Sequence, residues 1–234
     1  MKLEKRICLV SGGNRGLGFE TCHQLAQLGH TVILTARNLT IGKTAAKQLT
    51  DKGFDIIFYQ MDVSKQDSID DVHDNIIQHF GRLDVLVNNA GILYDTWQTV
   101  IDIDFEIVNQ ALETNLLGPW RVSKKFIPIM KKNRYGRIVN VSSSLGSLHF
   151  MGKGSPAYSI SKTALNALTR KLAAELLGTG ILVNSIDPGW VATDMGGSGG
   201  RPIEEGVKGI IWASTLPDDG PTGGFFFEGK PVEW

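Results

Sequence analysis

Tyr158 and Lys162 are the two side chains whose types and spacing suggest chemistry most directly. Residues four apart share one face of a helix, so the phenol and the ammonium come within reach of each other. A free tyrosine titrates at a pKa of ~10, and a neighbouring ammonium or a helix N-terminus lowers that pKa. We interpret Ser155-Pro156 as the N-cap and first residue of this helix. Tyr158 is then a candidate proton donor to a carbonyl oxygen, although the spacing alone also fits a solvated helix face.

Polar side chains also follow two apolar runs that we predict to be strands. Ser142-Ser143-Ser144 ends one run, and Asn88-Asn89-Ala90-Gly91 ends another. Because ligands bind at the carboxyl edge of open α/β sheets, we expect both segments near Tyr158. Asn115 is a polar residue among apolar ones on the next helical stretch. By itself Asn115 fits a buried amide with satisfied hydrogen bonds at least as well as a functional residue.

A glycine-rich segment at residues 11–18 lies between the first apolar run and a helical stretch. Gly12, Gly16 and Gly18 follow the spacing G-x-x-x-G-x-G, which lets the backbone turn tightly and approach a ligand closely. The free N–H groups and the positive dipole of the following helix favour a pyrophosphate. The segment therefore predicts a dinucleotide site, although many turns between a strand and a helix contain glycine.

Two arginines indicate which dinucleotide is bound. A site for NAD usually has a carboxylate ~20 residues after the glycine turn, where it binds the ribose 2′-hydroxyl. The chain has Ala36-Arg37 at the end of its second apolar run, and Arg15 is expected at the same corner. Guanidinium groups form bidentate hydrogen bonds with phosphate, so we predict NADP(H). The alternative is a pair of ordinary surface arginines.

The elements that must position these residues follow from the pattern of apolar side chains. Short apolar runs alternate with segments of helical period, such as the one that Ser64 is predicted to cap. This alternation predicts an α/β fold, namely a single doubly wound Rossmann domain over residues 1–234 with helices on both faces of a parallel sheet. The seven predicted strands are residues 7–10, 31–35, 56–59, 83–87, 137–141, 182–186 and 224–227.

The composition limits the classes of function. Basic and acidic residues number 24 each, and the resulting zero net charge argues against binding nucleic acid or a membrane through bulk charge. Only Cys8 and Cys22 are present, which gives neither a disulfide framework nor the spacing of a metal site. The first apolar run is too short for a signal peptide, and no run approaches a transmembrane length. We therefore expect a cytoplasmic protein.

Together these segments resemble the single-domain branch of the short-chain dehydrogenase/reductase superfamily over nearly the whole chain. The matching motifs are, in order, the glycine segment, Asn88-Asn89-Ala90-Gly91, Asn115, the set Ser143, Tyr158 and Lys162, and Pro188-Gly189 with Thr193. Five motifs in one order are far more specific than any one of them. The pattern is most similar to NADPH-dependent carbonyl reductases, and Arg15 with Ala36-Arg37 resembles the NADPH-preferring pattern.

The resemblance implies a role for each matching residue. Tyr158 would donate a proton to the substrate oxygen, and Lys162 would hold the nicotinamide ribose and lower the pKa of Tyr158. Ser143 would hydrogen-bond the substrate carbonyl, and Asn115 would hold a water between Lys162 and solvent. Besides Tyr158 and Lys162, the implied cofactor contacts are Gly12, Asn14, Arg15, Gly16, Leu17, Gly18, Arg37, Asp62, Val63, Asn89, Ala90, Gly91, Pro188, Gly189, Val191 and Thr193.

Three departures from the family pattern affect these expectations. Ser11 stands where the family usually has threonine, which keeps the hydroxyl. The stretch from Ser143 to Tyr158 is longer than in most members, so both Ser142 and Ser143 are candidates to face the substrate. The long insertion that makes some carbonyl reductases monomeric is absent, so association as a homodimer or homotetramer is open.

The substrate pocket is expected to form from three loops, at residues 93–97, 148–151 and 190–195, with Trp97, Phe150, Met151 and Trp190 as apolar contacts. Each of these side chains also fits ordinary packing. The glycines at 196–200 suggest a flexible lid over residues 192–205. We predict reduction of an apolar ketone, aldehyde or quinone by NADPH. The alternatives are an NAD(P)-linked alcohol or hydroxysteroid dehydrogenase that works oxidatively, and a non-catalytic NADP(H)-binding sensor.

Overall fold

A computed structural model describes residues 4–92 and 94–234, and the strands of these residues form one sheet. The strands are β1 (Ile7–Val10), β2 (Thr31–Ala36), β3 (Ile56–Gln60), β4 (Val85–Asn88), β5 (Gly136–Val141), β6 (Ile181–Asp187), β7 (Phe225–Phe227) and β8 (Lys230–Pro231). Their order in the sheet is β3-β2-β1-β4-β5-β6-β7-β8. Because β1 pairs with both β2 and β4, the carboxyl end of β1 lies at the switch point where doubly wound sheets bind ligands.

Strands β1 to β7 run parallel, and β1, β2, β4, β5 and β6 are buried at every position. Their Val, Ile and Leu runs lack polar alternation because helices cover both faces of a parallel sheet. A hydrophobic cluster lies on each face, one around Leu9 and Phe126 and the other around Val10 and Leu25. The predicted α/β class and the doubly wound Rossmann architecture are confirmed.

The predicted count of seven strands is wrong, because β8 follows β7 and pairs with it in the antiparallel sense. Phe227 and Lys230 face each other across a two-residue turn of Glu228 and Gly229, which have φ of 48° and 77°. Two residues with positive φ form the hairpin turn whose twist matches that of the flanking strands. The dipeptide Glu228-Gly229 directly after an apolar run was the available signal for this hairpin.

The helices are α1 (Gly16–Gln27), α2 (Leu39–Thr50), α3 (Gln66–Phe80), α4 (Phe105–Leu112), α5 (Gly118–Asn133), α6 (Pro156–Glu175), α7 (Ile203–Gly206) and α8 (Lys208–Ser214). A single π-helical turn, Glu113–Leu117, joins α4 to α5. Within the described residues, no helix combines the length and the apolar character needed to cross a membrane.

A chain of buried polar groups links three strands to α6. Asn88 Nδ2 on β4 donates to Asn140 Oδ1 on β5 at 2.8 Å, and Asn140 Nδ2 donates to Thr169 Oγ1 on α6 at 2.8 Å. The hydroxyls of Thr169 and of Ser185 on β6 also lie 2.8 Å apart. All four side chains belong to the buried interior. These hydrogen bonds fix α6 in one register against the sheet, although Asn88 Oδ1 finds no partner among the described residues.

Candidate active site

The glycine segment forms a tight turn between β1 and α1 that leaves no room for side chains. Gly12 and Gly16 have φ of 66° and 54°, a region that favours glycine. A Cβ on Gly18 would lie 2.2 Å from the carbonyl oxygen of Gly12. Arg15 is the N-cap of α1, and no described side chain caps this helix. The first N–H groups of α1 are therefore available to an anion.

The segment after β4 is hydrogen-bonded to the glycine turn. Asn89 Nδ2 donates to the carbonyl oxygens of Ser11 and Gly12 at 2.9 and 3.1 Å. The Ser11 hydroxyl oxygen accepts the N–H groups of Asn89 and Ala90, both at 3.0 Å. Serine in place of the family's threonine thus keeps a hydroxyl that hydrogen-bonds the main chain. Residues 89–91 lie alongside the glycine turn of residues 11–18, which we call the cradle.

Arg15 and Arg37 are both exposed beside the cradle. The N–H of Gly13 donates to the carbonyl oxygen of Thr35 at 2.8 Å, which brings the turn against the end of β2, two residues before Arg37. Arg15 Nη1 lies 2.7 Å from Asp194 Oδ2 in the loop after β6, and both side chains are largely exposed. An anion that reaches Arg15 therefore competes with Asp194.

Asp62 and Val63 follow β3; Asp62 hydrogen-bonds the next turn, and Val63 packs against α5. Asp62 Oδ1 accepts the N–H and the hydroxyl of Ser64 at 3.0 and 2.7 Å. The predicted capping of α3 by Ser64 is therefore wrong, since α3 begins at Gln66 and its N-cap is Lys65. Val63 is 7% exposed and packs closely on Gly118. A Cβ on Gly118 would lie only 2.8 Å from Val63 Cγ2.

The loop after β6 is folded back on itself. Gly189, with φ of 74°, donates its N–H to Asp187 Oδ1 at 2.9 Å. Val191 is 4% exposed, and it pairs with Arg201 in an isolated bridge. The loop contacts the cradle through Thr193, whose Cγ2 would lie 3.5 Å from a Cβ on Gly16. The predicted cofactor residues Pro188, Gly189, Val191 and Thr193 thus lie on one loop that reaches the glycine turn.

The candidate catalytic residues meet at the carboxyl edge of β4 and β5. The Ser143 hydroxyl acts on the Tyr158 hydroxyl and lowers its pKa, whereas the buried Ser142 Oγ finds no partner among the described residues. Lys162 Nζ donates to the carbonyl oxygen of Val141 at 2.8 Å and lies 5.5 Å from the centroid of the Tyr158 ring. Of the two candidate serines, Ser143 is therefore the one that contacts Tyr158.

Asn115 reaches this edge from the π-helical turn Glu113–Leu117, and π turns are frequent at functional sites. Its Nδ2 donates to the Ile92 carbonyl and the Ser161 hydroxyl, both at 3.0 Å, and its Oδ1 accepts the Ile92 N–H at 2.9 Å. Asn115 is thus a buried amide whose oxygen and nitrogen both have hydrogen-bond partners. Asn115 nevertheless borders the site, because a Cβ on Gly91 would lie 3.5 Å from its Oδ1 and 3.6 Å from Lys162 Nζ.

Burial sets the protonation of the two central groups. It raises the pKa of Tyr158 to about 12, an effect that the Ser143 hydroxyl opposes and that the charge of Asp187 reinforces. Burial also lowers the pKa of Lys162 to about 8. The direction for Tyr158 is opposite to the lowering expected from the sequence, because desolvation of the phenolate outweighs the effects of helix and ammonium.

Asp95 is a residue that sequence reasoning missed. Its fully buried carboxylate accepts the N–H groups of Ala157 and Tyr158, both at 3.0 Å, and so caps α6 from the segment after β4. The predicted N-cap position of Ser155, directly before Pro156, is confirmed, but Ser155 has φ of 46° and its side chain makes no capping hydrogen bond to the described residues. No local spacing signals this contact, because Asp95 lies 62 residues before Ala157.

The predicted pocket residues are largely exposed. Trp97 and Trp190 are 63% and 67% exposed, and Met151 is 39% exposed. Trp190 packs on Gly199 and donates its indole N–H to the Gly196 carbonyl at 2.7 Å. Phe150 lines a cleft described below. Leu93, at the start of one predicted pocket loop, lies outside the described residues.

Comparisons with known proteins identify the family. The protein-family sequence model described as short chain dehydrogenase matches residues 6–202, and the chain belongs to this family. (+)-Neomenthol dehydrogenase of Arabidopsis thaliana is 32% identical over 289 aligned positions that cover 97% of each chain. Carbonyl reductase 1 (NADPH) of Bos taurus is 33% identical, over 97% of this chain and 98% of the relative. The structure of NADPH-bound carbonyl reductase from chicken fatty liver matches at a TM-score of 0.88, with 28% identity over 99% of this chain and 100% of that one.

We expect Asp95→Ala to lower the free energy of unfolding by about 1–2 kcal/mol, because the variant leaves two buried N–H groups at the start of α6 without their acceptor. Hydrogen exchange of the Ala157 and Tyr158 amides should accelerate. Asp104 offers a matched control, since it caps α4 through the Glu106 N–H at 2.9 Å on an exposed surface. Asp104→Ala should leave exchange at the start of α6 unchanged, and equal exchange in both variants would contradict the role of Asp95.

Proposed function

We propose that the protein reduces a carbonyl group of a small molecule to an alcohol, with NADPH as hydride donor and Tyr158 as proton donor. The observation that carries this proposal is that the Tyr158 and Ser143 hydroxyls are brought together at one place. The pair lies beside Lys162, at the sheet edge that also carries the glycine cradle. The relatives named above, a dehydrogenase and carbonyl reductases named with NADPH, support the same chemistry.

The described residues fit NADPH. The cradle excludes side chains, and the uncapped start of α1 supplies N–H groups for the pyrophosphate. Arg15 and Arg37 offer exposed guanidinium groups for the 2′-phosphate, and no acid stands at position 37 to bind a 2′-hydroxyl. We assign the remaining contacts to the residues that the family resemblance implies. When bound, NADPH supplies the hydride.

In the proposed mechanism the side chains hold the carbonyl and supply a proton. The raised pKa of Tyr158, about 12, keeps the phenol protonated at physiological pH, which suits donation to the oxygen as it gains charge. The Ser143 hydroxyl holds the same oxygen close to Tyr158. Lys162, fixed by the Val141 carbonyl, offers its remaining N–H groups to ribose hydroxyls. Asn115 holds the backbone of Ile92 and the Ser161 hydroxyl next to Lys162.

The remaining proposals concern motion, assembly and location. We propose that residues 192–205 act as a substrate lid hinged at the glycines of 196–200. The Ala192 N–H donates to the Arg201 carbonyl oxygen at 2.9 Å and so joins the two ends of the glycine-rich loop. We place the protein in the cytoplasm, because Cys8 and Cys22 are both free, buried thiols. The partners we propose are a small-molecule carbonyl compound and, in a homodimer or homotetramer, further copies of the chain.

Removal of the proton donor gives the first test of this function. We expect Tyr158→Phe to lower kcat/KM by about 100-fold or more over a panel of ketones, aldehydes and quinones, because general acid catalysis is lost. NADPH affinity, measured by fluorescence titration, should be unchanged, and Tyr59→Phe on β3 serves as the control. Activity that survives intact in Tyr158→Phe excludes this proton donor. NADPH binding without turnover of any carbonyl by the wild type would favour the sensor.

Cofactor choice should depend on the two arginines. We expect kcat/KM of the Arg15→Ala, Arg37→Ala double variant to fall about tenfold or more with NADPH. The kcat/KM with NADH should be unchanged, because only NADPH carries the 2′-phosphate. Lys171→Ala, an exposed cation on α6, is the control. Asp194→Asn should tighten NADPH binding by up to about fivefold, since an exposed ion pair that competes for Arg15 is removed. An unchanged NADPH efficiency in the double variant would contradict the assignment.

Activity should fall as the pH rises through about 8, where Lys162 loses its proton. The pKa of Tyr158 lies near 12, so that group stays protonated over the same range. Unfolding does not explain such a loss: Lys162 has a lower pKa in the folded protein, so the unfolded chain binds more protons above pH 8, and the contribution of this group to stability rises with pH. We would measure kcat/KM at saturating NADPH from pH ~6 to ~10, with circular dichroism as the control. A flat profile would argue against a required ammonium.

A further inference from the structure

A cleft of about 390 Å³ opens beside Ser144 and contains none of the residues to which the proposed mechanism gives a role. Its volume falls in the range of small-molecule sites, ~300–1,000 Å³. The cleft adjoins the reacting groups in two ways. Ser144, which follows Ser143, is one of its walls, and Asp187, another lining residue, acts electrostatically on the Tyr158 hydroxyl. A carbonyl held by Tyr158 and Ser143 therefore has this cleft as a neighbour.

The cleft combines apolar walls with acidic side chains. Phe150, Phe227 and Val232 supply the apolar surface, and Asp187 and Glu233 supply two carboxyl groups. Asp187 is 7% exposed and accepts the Gly189 N–H at 2.9 Å. Glu233 is exposed at the rim. The lining residues that the structure describes include no Lys, Arg or His to offset the two acids.

The cation whose charge acts on Asp187 is engaged elsewhere. Arg201 contributes an electrostatic effect at Asp187, yet its guanidinium is paired with Glu205 at 3.4 Å and with Glu228. The two acidic partners offset the positive charge before it reaches the cleft. The cleft therefore has a negative potential within partly desolvated walls, where charges interact more strongly than in bulk water.

We propose that this cleft binds the part of the carbonyl substrate remote from the reacting group, and that it selects substrates with an apolar ring and a protonated amine over anionic ones. The proposal rests on the proposed carbonyl reduction. Apolar walls take the ring, the carboxyl groups attract an ammonium, and an anionic substituent would face like charges. The substrate class is thus an aromatic or alicyclic ketone or aldehyde that carries a basic nitrogen.

The test uses three acetophenones that differ only in the para substituent: aminomethyl, methyl and carboxylate. We expect kcat/KM with NADPH to follow the order cation, neutral, anion, with about tenfold or more between the first and the last. Glu233→Gln and Asp187→Asn should each lower the cation-to-anion ratio at least about threefold, and high salt should lower it in the wild type. Glu175→Gln, at the far end of α6, is the matched control and should leave the ratio unchanged. An equal kcat/KM for the cation and the anion in the wild type, or a ratio that neither variant changes, overturns the proposal.

A binding experiment separates this proposal from the proposed function. Isothermal titration of benzylammonium and of benzoate into the NADP-loaded protein measures selectivity without turnover. We expect benzylammonium to bind about tenfold or more tightly than benzoate, with the preference reduced in Glu233→Gln. Equal affinities, or no benzylammonium binding at ~10 mM, overturn the cleft assignment. Selective binding without reduction of any acetophenone would instead contradict the proposed function and support the cleft.

Discussion

The register of α6 against the sheet is the constraint on which the site depends. Tyr158 and Lys162 meet Ser143 and Val141 only when one face of the helix stands opposite the end of β5. The chain of buried amides and hydroxyls that includes Asn140 ensures this alignment, because a shift along the sheet would leave its members without partners. An unpaired buried polar group costs about 1–3 kcal/mol. Apolar packing stabilises the layers, and the polar chain determines how they align.

Charge is separated along the carboxyl edge of the sheet even though the chain as a whole is neutral. Arg15 and Arg37 stand at the dinucleotide end, where phosphates are expected. Asp187 stands at the other end, near Tyr158. Burial and this acid keep the phenol protonated, which favours proton donation over proton abstraction. Asp187 near Tyr158 and the arginines beside the cradle therefore suit two chemically different ligands.

Features that depend on short stretches of chain could be predicted from the sequence. The parallel strands, the glycine turn and the Tyr158–Lys162 pair each follow from local spacing, and the family resemblance is confirmed. The cap that Asp95 gives to α6 could not be predicted, since it joins segments far apart in the chain. The pKa direction of Tyr158 depends on burial by the whole fold and was wrong for that reason. The Glu228-Gly229 hairpin was not predicted, although its turn residues were a local signal for it.

The Asp95 cap also makes the first turn of α6 depend on a distant segment of the chain. The turn that carries Tyr158 begins at Pro156, and its first free N–H groups find their acceptor on a residue that precedes them by 62 positions. An isolated α6 therefore lacks the partner that fixes its first turn, because helix ends are stabilised by whatever satisfies their N–H groups. The reactive end of the helix therefore takes its geometry from the segment after β4 as well as from its own sequence.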